Sequence, residues 1–158
     1  MENKKIKNAT QNSSEGITFK SKLEKSVYNT LLEQGFNPEY EPITFTIWEG
    51  FRPTIPYYDR ETDYQRDVRL AASGGSSAKM LVRKKARILN VQYTPDFYFK
   101  YNDLNVYIEA KGIENDVFYI KKKMFIKYLD NLYKKKKKKS IYFEVYTKKQ
   151  LLQAIEII

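Results

Sequence analysis

The chain has no cysteine and no histidine among its 158 residues. Without cysteine it can form neither a disulfide nor a thiolate metal site, so nothing in it indicates an oxidising compartment. Without histidine it has no imidazole to serve as a zinc ligand, as the base of a serine or cysteine nucleophile, or in a His-dependent nuclease. Any catalysis must therefore use carboxylates, lysines or hydroxyl groups.

Three further features are missing. No apolar run approaches the 18 or so residues that a membrane-spanning helix needs, and the amino terminus lacks the apolar stretch of a signal peptide. We therefore expect an intracellular protein with no membrane partner. No GxxxxGK[ST] motif is present, so we expect no nucleotide cofactor.

The chain is rich in lysine and in aromatic residues. Lys and Arg number 29 against 19 Asp and Glu, which gives a formal net charge of +10. Hydrophobic residues make up 42% and aromatic residues 15% of the chain, a composition typical of one folded domain. The charge favours a polyanionic partner, most simply nucleic acid.

The stretch from Tyr93 to Gly112 predicts a β-hairpin. Its arms, Tyr93–Lys100 and Asn105–Lys111, flank a turn at Asn102-Asp103. A turn centred there places Asp96 directly opposite Glu109 on the neighbouring strand. Such partners have Cβ atoms about 4.5 to 5.5 Å apart, and like charges so placed destabilise the sheet.

The same hairpin predicts a cation site. Strand alternation puts Lys111 on the face of Glu109, while Ile108 and Ala110 point the other way, into a core. Two carboxylates that converge on one spot suit a hard divalent cation with oxygen ligands. The alternative is a solvated face on which Lys111 neutralises Glu109. The proline before Asp96 and the apolar neighbours of Glu109 favour the cation site.

A first helix is predicted over Lys22–Gln34, with Gly35 as its left-handed stop. Its apolar residues recur every four positions, at Leu23, Val27 and Leu31. Glu24 falls on the same core-facing arc, which is an unusual place for a carboxylate. A capping box explains it, with Ser21 as the N-cap and Glu24 three positions on.

The remaining pattern predicts one α/β domain over residues 17–158, behind a flexible polar tail at 1–16. Pro42–Glu49 alternates as a half-buried strand, with Ile43, Phe45 and Ile47 on one side. Ser140–Thr147 is typical of an interior strand. Leu151, Leu152 and Ile155 indicate a short closing helix. We expect a mixed central β-sheet with flanking helices.

A second helix is predicted over Asp116–Tyr133, with Lys121 projecting within its buried stripe. The predicted stripe consists of Val117, Ile120, Met124, Tyr128 and Leu132. The run Lys134–Lys139 follows at the end of this helix, where it favourably opposes the helix dipole. We interpret the run mainly as a solvated charge cluster, with a weak phosphate-binding patch as an addition.

Residues 50–90 have the character of an insertion that contacts DNA. All six arginines lie here: Arg52, Arg60, Arg66, Arg69, Arg83 and Arg87. The planar guanidinium suits bidentate phosphate contacts, so we expect DNA binding by Arg83 and Arg87 together with Lys84 and Lys85. The alternative is ion pairing with the acidic residues of the same segment, namely Asp59, Glu61, Asp63 and Asp67.

The motif Pro95-Asp96, a gap of about a dozen residues, then Glu109-Ala110-Lys111 resembles the PD-(D/E)xK nuclease superfamily. Its flanks, Lys20–Glu24 with the helix after it and Phe36–Pro42, resemble phage nucleases of that superfamily. The branch in question includes the bacteriophage endonuclease I type of Holliday-junction resolvase. The similarity covers roughly residues 18–48 and 91–147 and does not extend to the insertion.

The resemblance implies a restriction-endonuclease-like core and a Mg²⁺-dependent DNA endonuclease, in which Mn²⁺ can substitute. The implied metal ligands are Asp96, Glu109, the carbonyl of Ala110 and, as a further ligand, Glu24. Lys111 is expected to orient or help deprotonate the attacking water. In similar nucleases a lysine on the corresponding helix lies near the scissile phosphate, which makes Lys121 a candidate. Glu24 thus has two interpretations, helix cap and metal ligand.

The resemblance also implies a branched DNA substrate and a role in DNA recombination, in the host cytoplasm if the protein is phage-encoded. Resolving a four-way junction needs two symmetric cuts, and one chain of this length has a single candidate site. We therefore expect a homodimer with twofold symmetry. Two alternatives stay open: a sequence-specific restriction-type nuclease, and a basic nucleic-acid-binding module without catalysis.

Overall fold

The computed structural model describes residues 12–60, 63–75, 80–82, 87–112 and 115–158. The strands in these ranges are β1 (Asn12–Ser14), β2 (Ile17–Phe19), β3 (Glu39–Tyr40), β4 (Phe45–Trp48), β5 (Tyr58–Arg60), β6 (Met80–Val82), β7 (Val91–Tyr93), β8 (Phe97–Tyr101), β9 (Leu104–Ala110) and β10 (Ser140–Val145). The helices are α1 (Lys22–Glu33), α2 (Asp63–Ser73), α3 (Asp116–Lys136) and α4 (Lys148–Ile157).

A mixed sheet with the strand order β10-β9-β8-β3 organises the fold. Strand β9 pairs antiparallel with β8 and parallel with β10, while β3 pairs antiparallel with β8. The parallel pair is connected by α3, as a crossover between parallel strands requires. The predicted class, α/β with a mixed central sheet and flanking helices, is confirmed.

The predicted hairpin register is confirmed. Phe97 lies opposite Ile108, and the pairing continues to Tyr101 opposite Leu104 around a turn at Asn102-Asp103. Asn102 has a φ of +50°, a left-handed conformation that asparagine tolerates better than most residues.

The first arm of the hairpin is shorter than predicted. Val91–Tyr93 is a separate strand, β7, which pairs with β4 instead of β9. Pro95 lies between β7 and β8 and has no N–H to give to a ladder, so the chain changes partner at this point. Asp96 therefore stands just before β8, at the end of the paired region.

Each face of the sheet carries its own hydrophobic cluster, because side chains alternate along β9. Val106 and Ile108 point into a cluster built on α1 and α4, which contains Val27, Leu31, Leu151 and the fully buried Phe97 and Phe19. Tyr107 points the opposite way, into a cluster with Tyr93 and with Phe118, Phe125 and Leu129 of α3. Glu109, two residues beyond Tyr107, shares this second face.

Helix α1 has the predicted ends. Ser21 is the N-cap and accepts the Glu24 N–H at 3.1 Å, and Gly35 follows the helix with a φ of +82°. Only glycine adopts that conformation without a steric penalty, which explains the stop. None of the helices in the described ranges is long and apolar enough to cross a membrane.

The predicted buried stripe of α3 is wrong at Val117 and Ile120, although Tyr128 and Leu132 pack against the hydrophobic cluster as predicted. Val117 and Ile120 are 58% and 61% exposed, whereas Phe118, Phe125 and Leu129 are buried against the sheet. The helix carries apolar residues around most of its circumference, so spacing alone does not select its inner face. The sheet selects it, because the aromatic rings of β7 and β9 accept Phe125, whose ring centroid lies 4.7 Å from that of Tyr93.

The interior position predicted for Ser140–Thr147 is also wrong. In the sheet formed by the described strands, β10 is an edge, and only Val145 along it is buried. The interior strand is β9, where every residue from Val106 to Ala110 is buried. The apolar run of β10 reflects contacts on its two faces, with α3 and with α4.

The expected tail at 1–16 is wrong for its last residues. Asn12–Ser14 pairs antiparallel with Ile17–Phe19, and the turn between them has positive φ at both Glu15 (+50°) and Gly16 (+80°). Two consecutive residues with positive φ form a tight β-hairpin turn, and glycine is favoured at the second of these two positions. Residues 1–11 of the expected tail lie outside the described range.

A second compact unit spans Trp48–Val91, while residues before and after it form the first unit. Within it β5 pairs antiparallel with β6, and a bridge joins Phe51 to Ile88. The amide N–H of Gly50 donates to the Asn90 side chain at 2.8 Å. This unit contains the segment that was expected to be an insertion.

A pair of substitutions on α3 tests which face of this helix is buried. Phe125→Ala should lower the free energy of unfolding by about 3 to 5 kcal/mol, since it empties a fully buried site. Ile120→Ala should change it by less than about 0.5 kcal/mol, because that side chain is 61% exposed. Urea denaturation of both variants measures the two values. A larger loss for Ile120→Ala than for Phe125→Ala would contradict the observed packing.

Candidate functional site

A polar cleft of about 620 Å³ opens at the end of the sheet where β9 finishes and β8 begins. Charged and hydroxyl side chains line it almost completely: Lys20, Lys111, Lys121, Glu24, Glu41, Asp96, Glu109, Thr44 and Thr94, with Ala110. All of them belong to the first unit. Every residue expected to bind the metal or to act in catalysis thus contributes to one cleft.

Asp96 is held rigidly at the base of this cleft. Its Oδ2 accepts the Ala110 N–H at 2.8 Å, so the side chain is bonded to the partner strand of the hairpin. Its main-chain carbonyl accepts the Glu41 N–H at 2.8 Å. Burial, and then the charge of Glu109, raise the pKa of the Asp96 carboxyl well above its ordinary value. The direction of this pKa shift is the one that repulsion between the two carboxylates would give.

Glu109 is 3% exposed and is bonded through both carboxylate oxygens. Its Oε1 accepts from Lys111 Nζ at 2.7 Å, and its Oε2 accepts from the Tyr93 hydroxyl at 2.8 Å. The Tyr93 oxygen lies 3.0 Å from the Tyr142 hydroxyl. Burial raises the pKa of both tyrosines, so each remains a neutral donor.

Lys111 lies between Glu109 and the amino end of α3. Its Nζ is 4.2 Å from the centroid of the Phe118 ring, a cation–π contact, and its side chain is 24% exposed. The ion pair with Glu109 is the arrangement expected for a solvated face, yet here the carboxylate is buried. Breaking a buried pair leaves an uncompensated charge, so a cation that replaces Lys111 must supply equal compensation.

Glu24 is a helix-cap residue, and its interpretation as a metal ligand stays a prediction. Its Oε1 accepts the Ser21 hydroxyl at 2.7 Å, which completes a variant of the capping box. Its Oε2 accepts the Tyr40 hydroxyl at 2.6 Å and the Lys20 N–H at 3.0 Å. It is 7% exposed and lines the cleft, so this helix cap is also a wall of the candidate site.

The residues present fit a divalent cation in their chemistry. Carboxylate oxygens are hard ligands that suit Mg²⁺, and Asp96 Oδ1 accepts no hydrogen bond from the described residues. Within the described ranges, however, no group of three or more acidic side chains is arranged so that it could hold a metal ion. Glu109 is bonded to Lys111, and Glu24 is bonded to Ser21 in the helix cap.

Sequence reasoning missed several residues of this cleft. Lys20 and Glu41 form an ion pair at its rim, and the Thr44 and Thr94 hydroxyls lie 2.7 Å apart. Glu41 has a φ of +45°, a left-handed conformation that is sparsely populated for residues other than glycine. In the sequence, the only signal for Glu41 was its place in Glu39-Tyr40-Glu41, directly before Pro42. For Tyr93, the only signal was its position two residues before Pro95.

Lys121 reaches the cleft from α3 and is half-buried. The run Lys134–Lys139 does not lie there. The Lys139 carbonyl accepts the Asn105 N–H at 3.0 Å, and Glu109 lies four residues further along β9, about 13 Å away at about 3.3 Å per residue. The lysine run therefore stands at the opposite end of the sheet.

The DNA-contact residues expected in the second unit are described only in part. Arg83, Lys84 and Lys85 lie outside the described residues, and Arg87 is exposed. Arg66 pairs with Asp67 at 3.3 Å on the surface. For Arg66, that pair supports the alternative of ion pairing within the segment. The phosphate contacts expected of Arg87 stay a prediction.

No family model, no curated protein and no solved structure matches this chain. The function proposed below therefore depends on the geometry of the cleft and on the motif resemblance.

Asp96→Asn should stabilise the protein at neutral pH in the absence of divalent cations. Because the pKa of the Asp96 carboxyl is raised in the folded protein, the protonated carboxyl stabilises the fold at pH values below the ordinary Asp pKa. This stability is lost as the pH rises through the raised pKa. Asparagine keeps an oxygen that can accept the Ala110 N–H and carries no charge. Thermal denaturation in EDTA should therefore give a higher Tm than wild type at pH 7, with the difference disappearing in acid.

Asp130→Asn is the matched control for that comparison, because it also removes one negative charge but from an exposed ion pair with Lys134. Its Tm should show no such dependence on pH. A lower Tm for Asp96→Asn than for wild type at pH 7 would mean that the Asp96 charge stabilises the fold.

Proposed function

We propose that the protein is a metal-dependent DNA endonuclease that hydrolyses phosphodiester bonds, with Mg²⁺ as its cation and Mn²⁺ as a substitute. The observation that carries the proposal is the convergence of Asp96, Glu109 and Lys111 in one cleft. A binding module has no need of a buried and a half-buried carboxylate whose charges repel. A net charge of +10 supports a nucleic-acid substrate.

In this proposal Asp96 and Glu109 would hold the cation, and the Ala110 carbonyl and Glu24 would be further ligands. The chemistry that such a cation supplies is neutralisation of a phosphoryl oxygen and a lowered pKa for a water molecule. Asp96 is suited to binding because its carboxylate is already immobilised by the Ala110 N–H. Glu109 is suited because Tyr93 bonds to only one of the Glu109 carboxylate oxygens, Oε2. The other oxygen, Oε1, is bonded to the ammonium of Lys111, which a cation could replace.

The lysines of the cleft have separate roles. Lys111, once released from Glu109, orients the attacking water and offsets the charge that develops on the phosphorane. Lys121, half-buried on α3, binds the scissile phosphate, and Lys20 extends the positive rim. The water oxygen attacks phosphorus, the bond from phosphorus to the leaving oxygen breaks in line, the water proton passes to solvent, and the leaving oxygen takes a proton from solvent.

One observation favours a second candidate, a nucleic-acid-binding module without catalysis. Glu109 and Glu24 already accept hydrogen bonds from protein groups, as purely structural carboxylates do. A restriction-type nuclease is a third candidate, favoured by the arginine-bearing unit Trp48–Val91. Plasmid nicking separates the second candidate from the first, and the cleavage pattern on linear DNA separates the third.

Asp96→Asn, Glu109→Gln and Lys111→Met should each reduce plasmid nicking in Mg²⁺ by at least about 10²-fold while DNA binding is retained. Removal of one positioned charged group at a transition state costs about that much. Asp130→Asn, an exposed carboxylate in an i,i+4 pair, should nick as wild type does. EDTA should stop the reaction and Mn²⁺ should restore it. Turnover near the wild-type rate in Asp96→Asn would eliminate the assignment.

The proposed substrate is branched DNA, cut by a homodimer. Each chain offers one such cleft among its described residues, so two symmetric cuts need two chains related by a twofold axis. Sedimentation should give a dimer, and competition at one ionic strength should show tighter binding of a four-way junction than of linear duplex of equal length. A strict monomer with equal affinities would remove the branched-DNA part and leave the nuclease proposal intact.

A further inference from the structure

We propose that Tyr93, supported by Tyr142, is a positioning residue that fixes the carboxylate of Glu109 so that one of its oxygens is kept for the cation. This inference rests on the proposed function, because it assumes that Glu109 binds a cation. It concerns the Tyr93 and Tyr142 side chains, which are not among the proposed ligands, lysines or phosphate-binding groups.

The direction of the hydrogen bonds follows from counting protons. The carboxylate of Glu109 only accepts, so the Tyr93 hydroxyl must donate its single proton to Oε2, at 2.8 Å. The contact of 3.0 Å between the two tyrosine oxygens then has one solution, in which Tyr142 donates to Tyr93. The result is an ordered chain from Tyr142 through Tyr93 to Glu109, and such chains strengthen each of their members.

The two oxygens of Glu109 are held by donors of very different mobility. Tyr93 is 6% exposed and its ring packs against Phe125, with centroids 4.7 Å apart, so its hydroxyl cannot move away. Lys111 Nζ, at 2.7 Å from Oε1, ends a long flexible side chain that is 24% exposed. Oε2 is therefore the anchored oxygen and Oε1 is the exchangeable one.

The Lys111 ammonium thus stands in for the cation at Oε1. When a divalent ion displaces it, the carboxylate does not need to rotate, because Tyr93 already fixes its plane. Hydrogen bonds of this kind to metal-binding carboxylates are worth about 10- to 100-fold in metal affinity or activity. Tyr93 acts through Glu109 and touches neither substrate nor water in this account.

The test is Mn²⁺ affinity, measured by isothermal titration calorimetry on the full chain without DNA. Tyr93→Phe keeps the ring and should bind Mn²⁺ about 10- to 100-fold more weakly than wild type. Tyr98→Phe is the matched control. It removes a hydroxyl that donates to Asn105 at 3.1 Å, from the same aromatic cluster but away from the cleft, and should leave the affinity unchanged. Steady-state cleavage should show a lower kcat for Tyr93→Phe at an unchanged KM for DNA.

Tyr142→Phe keeps the test decisive if Tyr93→Phe does not fold. It removes only the distal hydroxyl and should weaken Mn²⁺ binding less than Tyr93→Phe does, but measurably more than Tyr98→Phe. If wild type binds Mn²⁺ and the folded Tyr93 and Tyr142 variants bind it as tightly as Tyr98→Phe, the positioning role is wrong and the nuclease proposal stands. If wild type itself binds no Mn²⁺ and cuts no DNA, both are wrong.

Discussion

The register of one β-hairpin places the carboxylates of Asp96 and Glu109 close together. The hydrogen-bond donors around them compensate for the repulsion between the two charges. The register cannot slip to relieve the repulsion, because a shift of one residue would turn Phe97 and Ile108, both fully buried, out of the core. Relief must come from local donors. The Ala110 N–H, the Tyr93 hydroxyl and the Lys111 ammonium supply it, each within 2.8 Å of a carboxylate oxygen.

The position of β9 explains why those donors are needed. This strand is covered on both faces, so Glu109 cannot reach solvent as a carboxylate on an edge strand would. The sheet face that carries Glu109 is otherwise aromatic. Its tyrosines pack their rings into the core, and the Tyr93 hydroxyl donates a hydrogen bond to the Glu109 carboxylate. Two like charges placed together at low exposure are expected to lower the stability of the apo protein, a feature more common at functional sites than in a structural core. Under the proposed function, a cation bound between the two carboxylates would relieve this repulsion.

Local rules in the sequence predicted much of this arrangement. The hairpin register followed from the turn at Asn102-Asp103, and the ends of α1 followed from Ser21 and Gly35, because these features depend on neighbours in the chain. Part of the buried face of α3 and the edge position of β10 were predicted wrongly, since both depend on which surfaces the sheet presents. The contributions of Tyr93, Lys20 and Glu41 were also missed. Lys20 and Glu41 line the cleft, and Tyr93 bonds to Glu109 from behind it. Their roles depend on tertiary distances that no spacing in the sequence encodes.

Anomalous diffraction from crystals grown with Mn²⁺ tests the central claim most directly. The account predicts an anomalous peak between the carboxylates of Asp96 and Glu109, with Lys111 Nζ moved off Glu109 Oε1 and Tyr93 still bonded to Oε2. A cleft at saturating Mn²⁺ that shows no peak, with the ion pair between Lys111 and Glu109 intact, would contradict it. The carboxylates would then be structural, and the protein would have no metal site at this end of the sheet.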